Sequence, residues 1–185
     1  PLETVLTDSM HGEMRGFEII TARVTDSDGA EGVGYTFTCG RNGGAIFDIL
    51  DKEISQIVHG EEASRIEYLW EKIWWAMHYG GRGGPTVLAL SAFDTALWDL
   101  KSKKAGEPLW RHLGGYDSKV PCYAGGIDLM LSADELIAQT EDNLAKGFRA
   151  IKMKVGRDSL KEDVEKVVAM RTHLGDEFPL MLDAN

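Results

Sequence analysis

Apolar and polar positions follow two rhythms along the chain, and the rhythm changes near Gly115. Residues 17–24 (FEIITARV) are rich in β-branched side chains, 26–29 (DSDG) make a turn cluster, and 31–38 (EGVGYTFT) resume a strand. Together they predict a β-hairpin with a glycine-containing loop. Apolar residues then recur every three to four positions. Ile46, Ile49, Leu50, Ile54 and Ile57 predict a helix over 45–58. A second helix is predicted over 64–78, with Ser64 as N-cap and Glu67 completing a capping box. Its aromatic residues Tyr68, Trp70, Trp74 and Trp75 read as packing. Leu90, Phe93, Leu97 and Leu100 predict the most regular helix, over 86–104, interrupted by Asp94 and Asp99 and stopped by Gly106 and Pro108. A short piece over 109–113 runs into Gly114 and Gly115. Residues 1–16 have no clean period and are expected to form a loop, either a solvated connector or a flap that reaches a site elsewhere.

After Gly115 strands and helices take turns. A short strand is predicted over 120–123, and a helix over 132–145 with Ser132 as N-cap and Glu135 three residues on. A strand over 150–155, a helix over 159–173 and a strand over 179–183 follow. Such alternation predicts βα units and a parallel sheet. The change of rhythm places one domain over 1–114 and a second over 115–185.

Composition narrows the function class. The chain has 185 residues, 43% of them hydrophobic, which suffices for a sizeable core. Thirty acidic against twenty basic residues give a formal net charge of −10, which argues against a nucleic-acid-binding surface. The two cysteines, Cys39 and Cys122, make no disulfide framework, so a reducing cytoplasm is the expected location. No apolar run has membrane-spanning length and no signal-peptide pattern opens the chain, so no membrane partner is expected. The glycine-rich 39–44 (CGRNGG) matches neither phosphate-binding nor dinucleotide spacing and reads as a turn. Arg82, set among four glycines, reads equally as a substrate contact or a turn residue.

The strand over 150–155 carries the chemistry. Ile151, Met153 and Val155 alternate with Lys152 and Lys154, so both ammonium groups leave one face. Lysine is unusual in a parallel strand, which is normally buried on both faces. Two neighbouring ammonium groups disfavour each other's charge, and enzymes tune lysine to roughly 7–8 in this way so that it can act as a base. Asp183 and Asn185 share a face at the end of the next strand, where barrel enzymes place catalytic or metal-binding groups. A carboxylate there suits Mg²⁺. The bland alternative for the lysines is a solvated edge or a grip on an anion.

The segment 91–101 (SAFDTALWDLK), with Lys103, Gly106, Pro108-Leu109 and Leu113-Gly114-Gly115, resembles the signature of the mandelate racemase/muconate lactonizing enzyme family of the enolase superfamily. Lys152-Met153-Lys154 resembles that family's lysine pair on the second barrel strand. Leu182-Asp183-Ala184-Asn185 resembles its third-strand metal motif. The resemblance implies an α+β capping domain followed by the first part of a (β/α)7β TIM-like barrel. It implies Lys154 as the base that removes an α-proton, with Lys152 beside it helping to hold the substrate carboxylate. It implies Asp183 as a Mg²⁺ ligand and Asn185 as a substrate contact, and it raises His11 and Arg15 as flap residues that touch substrate. The metal would stabilise the enediolate that forms, a pairing of lysine base and Mg²⁺ that is general to the superfamily.

His11-Gly12, Arg82-Gly83-Gly84 and Gly125-Gly126-Ile127-Asp128 resemble aldonate or aldarate dehydratases and a branch that cycloisomerises an anhydro-sugar acid. The leading expectation is an acid-sugar dehydratase, a lyase, acting as a homo-oligomer on a small carboxylate. A racemase or cycloisomerase of the same family is the runner-up, and a non-catalytic anion-binding or scaffold module is the reading from another class. A barrel of this kind needs roughly 250 residues, whereas about seventy follow Gly115. The chain is therefore expected to be a piece of a longer polypeptide, and the remaining metal ligands and opposing acid or base are expected beyond Asn185.

Overall fold

The computed structural model describes residues 1–185. The chain divides into two units, Gly16–Ser118, and Pro1–Arg15 together with Lys119–Asn185. The first fifteen residues, which the change of rhythm assigns to the earlier domain, thus pack with the later one.

In Gly16–Ser118, strands β3 (Glu18–Thr25) and β4 (Glu31–Thr38) form the antiparallel hairpin. Alternation sends Ile20 and Ala22 of β3 and Gly32, Gly34 and Thr36 of β4 inward. The inward face is covered by α4 (Gly84–Ala105), whose Ala92 and Ala96 are fully buried. The contact is backbone on backbone. A Cβ added at Gly34 would lie 2.0 Å from the Ala92 carbonyl, and one at Gly32 2.1 Å from that of Ala96. Small residues on both elements let helix and sheet approach closely enough to exclude every larger side chain.

The rest of that unit's core joins Ile46, Ile54, Ile66, Leu69, Ile73, Leu90, Phe93 and Leu97. The helix predicted over 45–58 is broken by one wide turn: α1 (Gly43–Asp48) passes into a π-helical stretch, Ile49–Ile54, and then α2 (Ser55–Val58). Glu18 caps its start by accepting the Gly43 N–H at 2.9 Å, which is the structural job of the glycine-rich turn.

Helix α3 (Ile66–Met77) starts two residues later than its predicted cap. Ser64 binds the Glu62 side chain instead, so the expected capping box does not form. The aromatic residues on α3 also differ from expectation: Tyr68, Trp70 and Trp75 are exposed, and only Trp74 packs against the core. Arg65 lies over the Tyr68 ring, and Trp70 stacks on Trp74. A four-residue helix, α5 (Leu109–His112), follows α4.

In the other unit, the residues expected to be a loop form a small hairpin, β1 (Leu6–Asp8) with β2 (Gly12–Met14). The parallel sheet runs β5 (Ala124–Gly125), β6 (Ile151–Lys154), β7 (Leu180–Asp183) in spatial order. The strand predicted over 120–123 lies a few residues later, at β5, because pairing with β6 begins at Ala124. Helices α6 (Ala133–Ala145) and α7 (Leu160–Leu174) bury Ile151 and Met153 against Leu136 and Met170. With that face covered, Lys152 and Lys154 must leave by the other. Ser132 and Glu135 form the predicted capping box at α6. No helix is long and apolar enough to cross a membrane.

Two stability tests follow from this packing. Gly34→Ala forces a methyl group into the Ala92 carbonyl and is expected to cost at least about 2 kcal/mol in urea unfolding; a neutral result would contradict the close approach. Ser132→Ala is expected to cost about 1 kcal/mol, while Ser64→Ala, which caps nothing, stays within about 0.5 kcal/mol.

Candidate active site

Three charged side chains meet at the ends of β6 and β7. Lys154 and Asp183 are register partners, and Lys152 shares their face two residues back. Lys152 Nζ donates to Asp183 Oδ2 at 2.8 Å, and Lys154 Nζ lies 3.0 Å from the same oxygen. Lys154 Nζ also donates to Asn185 Oδ1. Asp183 Oδ1 accepts the Asn185 backbone N–H at 2.9 Å. Lys154 is the more enclosed lysine, with a side chain 10% exposed against 20% for Lys152. Asn185 holds a left-handed φ of 75°, a conformation that asparagine adopts more readily than most side chains.

The charge state of Lys152 differs from expectation. The sequence suggests two ammonium groups depressing one another. Instead, the hydrogen bond to Asp183 pushes Lys152 upward, outweighing the burial that opposes it. Asp183 is driven well below the usual carboxylate range, chiefly by Lys152, then by the Asn185 N–H and Lys154. An opposite charge in hydrogen-bond contact outweighs a like charge on the same face. The Tyr123 ring, 5.9 Å from Lys152 Nζ, adds a weak attraction of the same sign.

The β1–β2 hairpin folds onto this end of the sheet. Thr7 bridges Asp128 in parallel, and Ser9 Oγ donates to the Ala184 carbonyl at 3.1 Å. Asp128 is buried; its Oδ1 accepts the Lys154 backbone N–H at 3.0 Å, and its Oδ2 has no hydrogen-bond partner. Arg157 donates to the carbonyls of Leu129 and Leu131, and Lys166 to that of Leu131, which fixes the loop carrying Asp128.

At the hairpin tip, Asp8 Oδ1 accepts the N–H groups of Met10 at 3.0 Å and His11 at 2.6 Å. Its Oδ2 lies 2.9 Å from His11 Nδ1. Burial raises the Asp8 carboxyl, but the hydrogen bonds from His11, Met10 and the Asn185 side chain together bring it down to about 2.

Lys152, Lys154, Asp183 and Asn185 are thus brought together, and the hairpin that carries His11 is fastened beside them through Thr7 and Ser9. Arg15 stands apart, exposed and paired with Glu13. Arg82 belongs to the Gly16–Ser118 unit. Sequence reasoning missed Asp8 and gave Asp128 no role. The available signals were an aspartate three residues before a histidine, a spacing that suits side-chain capping of a turn, and an aspartate closing the Gly125-Gly126-Ile127 run.

Asp183 suits Mg²⁺, which takes oxygen ligands and is commonly held by one or two carboxylates with substrate and water. No cluster of three or more His, Cys, Asp or Glu side chains forms in the chain.

Comparison with known proteins agrees with this geometry. Residues 8–114 match the mandelate racemase/muconate lactonizing enzyme N-terminal domain, and residues 135–185 match the enolase C-terminal domain-like family. A 3,6-anhydro-α-L-galactonate cycloisomerase of Streptomyces coelicolor is 56% identical over 185 residues, all of this chain and 51% of the relative. A solved racemase from Streptomyces coelicolor A3(2), with bound magnesium, superposes with a TM-score of 0.97 at 56% identity, over 100% of this chain and 52% of that one. L-talarate/galactarate dehydratase from Salmonella typhimurium LT2, liganded with Mg and L-lyxarohydroxamate, gives a TM-score of 0.93 at 36% identity, over 100% and 49%. The chain spans about half the length of the curated relatives it matches. A capping domain and the opening strands of a barrel are therefore its fold, and the chain belongs to the mandelate racemase/muconate lactonizing enzyme family.

Proposed function

We propose that the full-length protein carrying this chain removes the α-proton of an acid-sugar carboxylate. The observation that supports this most directly is the meeting of Lys152, Lys154 and Asp183 within 3.0 Å at one end of the sheet. Lys154 Nζ takes the α-proton, and Asn185 Oδ1 and Asp183 hold that nitrogen in place. Lys152 steadies the substrate carboxylate. Asp183 would hold Mg²⁺, which supplies Lewis-acid stabilisation of the charge that develops on that carboxylate. Asn185 and His11 contact the substrate in this reading, and Arg15 and Arg82 are weaker candidates for the same role. Residues 1–114 act as the specificity-bearing cap and 115–185 open the barrel, with the hairpin at 6–14 laid over its mouth.

Loss of the β-oxygen follows. The α C–H electrons form a double bond as the β C–O bond breaks, and the resulting enol takes a proton at the β-carbon to give a 2-keto-3-deoxy acid. A β-hydroxyl leaves with a proton as water, which is dehydration. An anhydro-ring oxygen on the β-carbon breaks in the same way but stays tethered, which gives an isomer. The 56% identity to the cycloisomerase favours this second reading. The reading takes the protein as a cytoplasmic homo-oligomer; the unpaired Cys39 and Cys122 accord with a reducing compartment.

Lys154→Ala in the full-length protein is expected to slow exchange of the substrate α-proton in D₂O by at least about a hundredfold, followed by NMR on a panel of acid sugars. Undiminished exchange would remove Lys154 from the base role. Chelation of magnesium is expected to stop exchange, and Asp183→Asn to raise the Mg²⁺ concentration for half-maximal rate by about tenfold or more; an unchanged requirement would exclude Asp183 as a ligand.

A further inference from the structure

We propose that Asp8 is a positioning residue that fixes His11 with its hydrogen on Nδ1, leaving Nε2 as an acceptor for a substrate hydroxyl. The substrate half of this inference rests on the acid-sugar reading above. The tautomer half stands on the contact between His11 Nδ1 and an ionised Asp8 carboxylate.

Asp8 closes strand β1 and is 7% exposed. Oδ1 accepts the backbone N–H groups of Met10 and His11 and so shapes the turn. Both oxygens face His11 Nδ1, Oδ2 at 2.9 Å and Oδ1 at 3.1 Å. An ionised carboxylate can only accept, so the hydrogen between them belongs to Nδ1. The carboxyl is held down to about 2, against the effect of burial, by hydrogen bonds from His11, Met10 and the Asn185 side chain, so it is ionised throughout the neutral range. In a neutral imidazole whose Nδ1 carries the hydrogen, Nε2 is the acceptor. The His11 side chain is 50% exposed, and its Nε2 makes no hydrogen bond within the chain.

The pair is tied to the lysine site from two directions. Thr7, just before Asp8, bridges Asp128, whose Oδ1 accepts the Lys154 backbone N–H at 3.0 Å. Ser9, next in sequence to Asp8, holds the Ala184 carbonyl. The free nitrogen of His11 therefore belongs to the same surface as the base. An acceptor there suits a polyhydroxylated substrate and offers nothing to an apolar α-substituent.

Asp8→Asn removes the charge at nearly constant shape. The amide keeps one oxygen for the turn and sets its NH₂ group toward Nδ1. The hydrogen then moves to Nε2, and a substrate hydroxyl meets the ring only by turning its own O–H away to accept. In the full-length protein, ¹⁵N NMR of labelled histidine is expected to show Nδ1 protonated and Nε2 bare in the wild type, and the reverse in Asp8→Asn. KM for the acid sugar is expected to rise about tenfold, the loss of one hydrogen bond, with kcat changed less than about threefold. In a His11→Ala background, Asp8→Asn is expected to add nothing to KM. A hydrogen on Nε2 in the wild type, an unchanged tautomer and KM in Asp8→Asn, or an equal KM penalty without His11 would each overturn the proposal. If the wild type turns over no acid sugar, the functional reading fails and the hydroxyl contact with it, while the NMR result still decides the tautomer.

Discussion

One carboxylate holds the candidate site in shape. Asp183 accepts from Lys152 and pairs with Lys154 on a single oxygen, and accepts the Asn185 N–H on the other. That arrangement needs β6 and β7 in register, because Lys154 faces Asp183 only when Ile151 faces Leu180. A slip of one residue would turn both lysines into the helix-covered face. Register is enforced by burial: Ile151 and Met153 fill the layer under α6 and α7, and Met170 and Leu136 close it. The hydrophobic side of the sheet thus determines where the charges on the other side converge. The helices that bury one face contribute nothing chemical, yet they decide which atoms meet.

A second layer of hydrogen bonds carries this order to the hairpin at 6–14. Asp128 receives the Lys154 N–H and pairs with Thr7, and Ser9 reaches Ala184. Mobile loops normally carry binding residues while a rigid scaffold places them. Here the loop is fastened to the scaffold at Asp128 and Ala184, beside Lys154 and Asp183.

Much of this was legible beforehand, for physical reasons that differ by element. The lysine strand was visible because period-two alternation is strict and charge in a parallel strand is rare. Capping at Ser132 was visible because the box motif acts locally, and Ser64 misled because the same pattern was overruled when the chain turned at Glu62. The β1–β2 hairpin was hidden, since its strands of three residues have no period to read and owe their shape to Asp8. The direction of the Lys152 shift was missed by weighing one lysine against the other and omitting the carboxylate across the ladder. Gly32 and Gly34 of β4 take their role from α4, which presses its backbone on them. That contact joins elements far apart in sequence, so no local pattern could announce it.

The ends of β6 and β7 are proposed as the proton-transfer face of an acid-sugar site. A crystal structure of the full-length protein with Mg²⁺ and an unreactive acid-sugar analogue tests this. The expected result is Asp183 on the metal, Lys154 Nζ within hydrogen-bonding reach of the analogue's α-carbon substituents, and His11 Nε2 on a ligand hydroxyl. A ligand bound away from Lys154, or a metal held without Asp183, would contradict it.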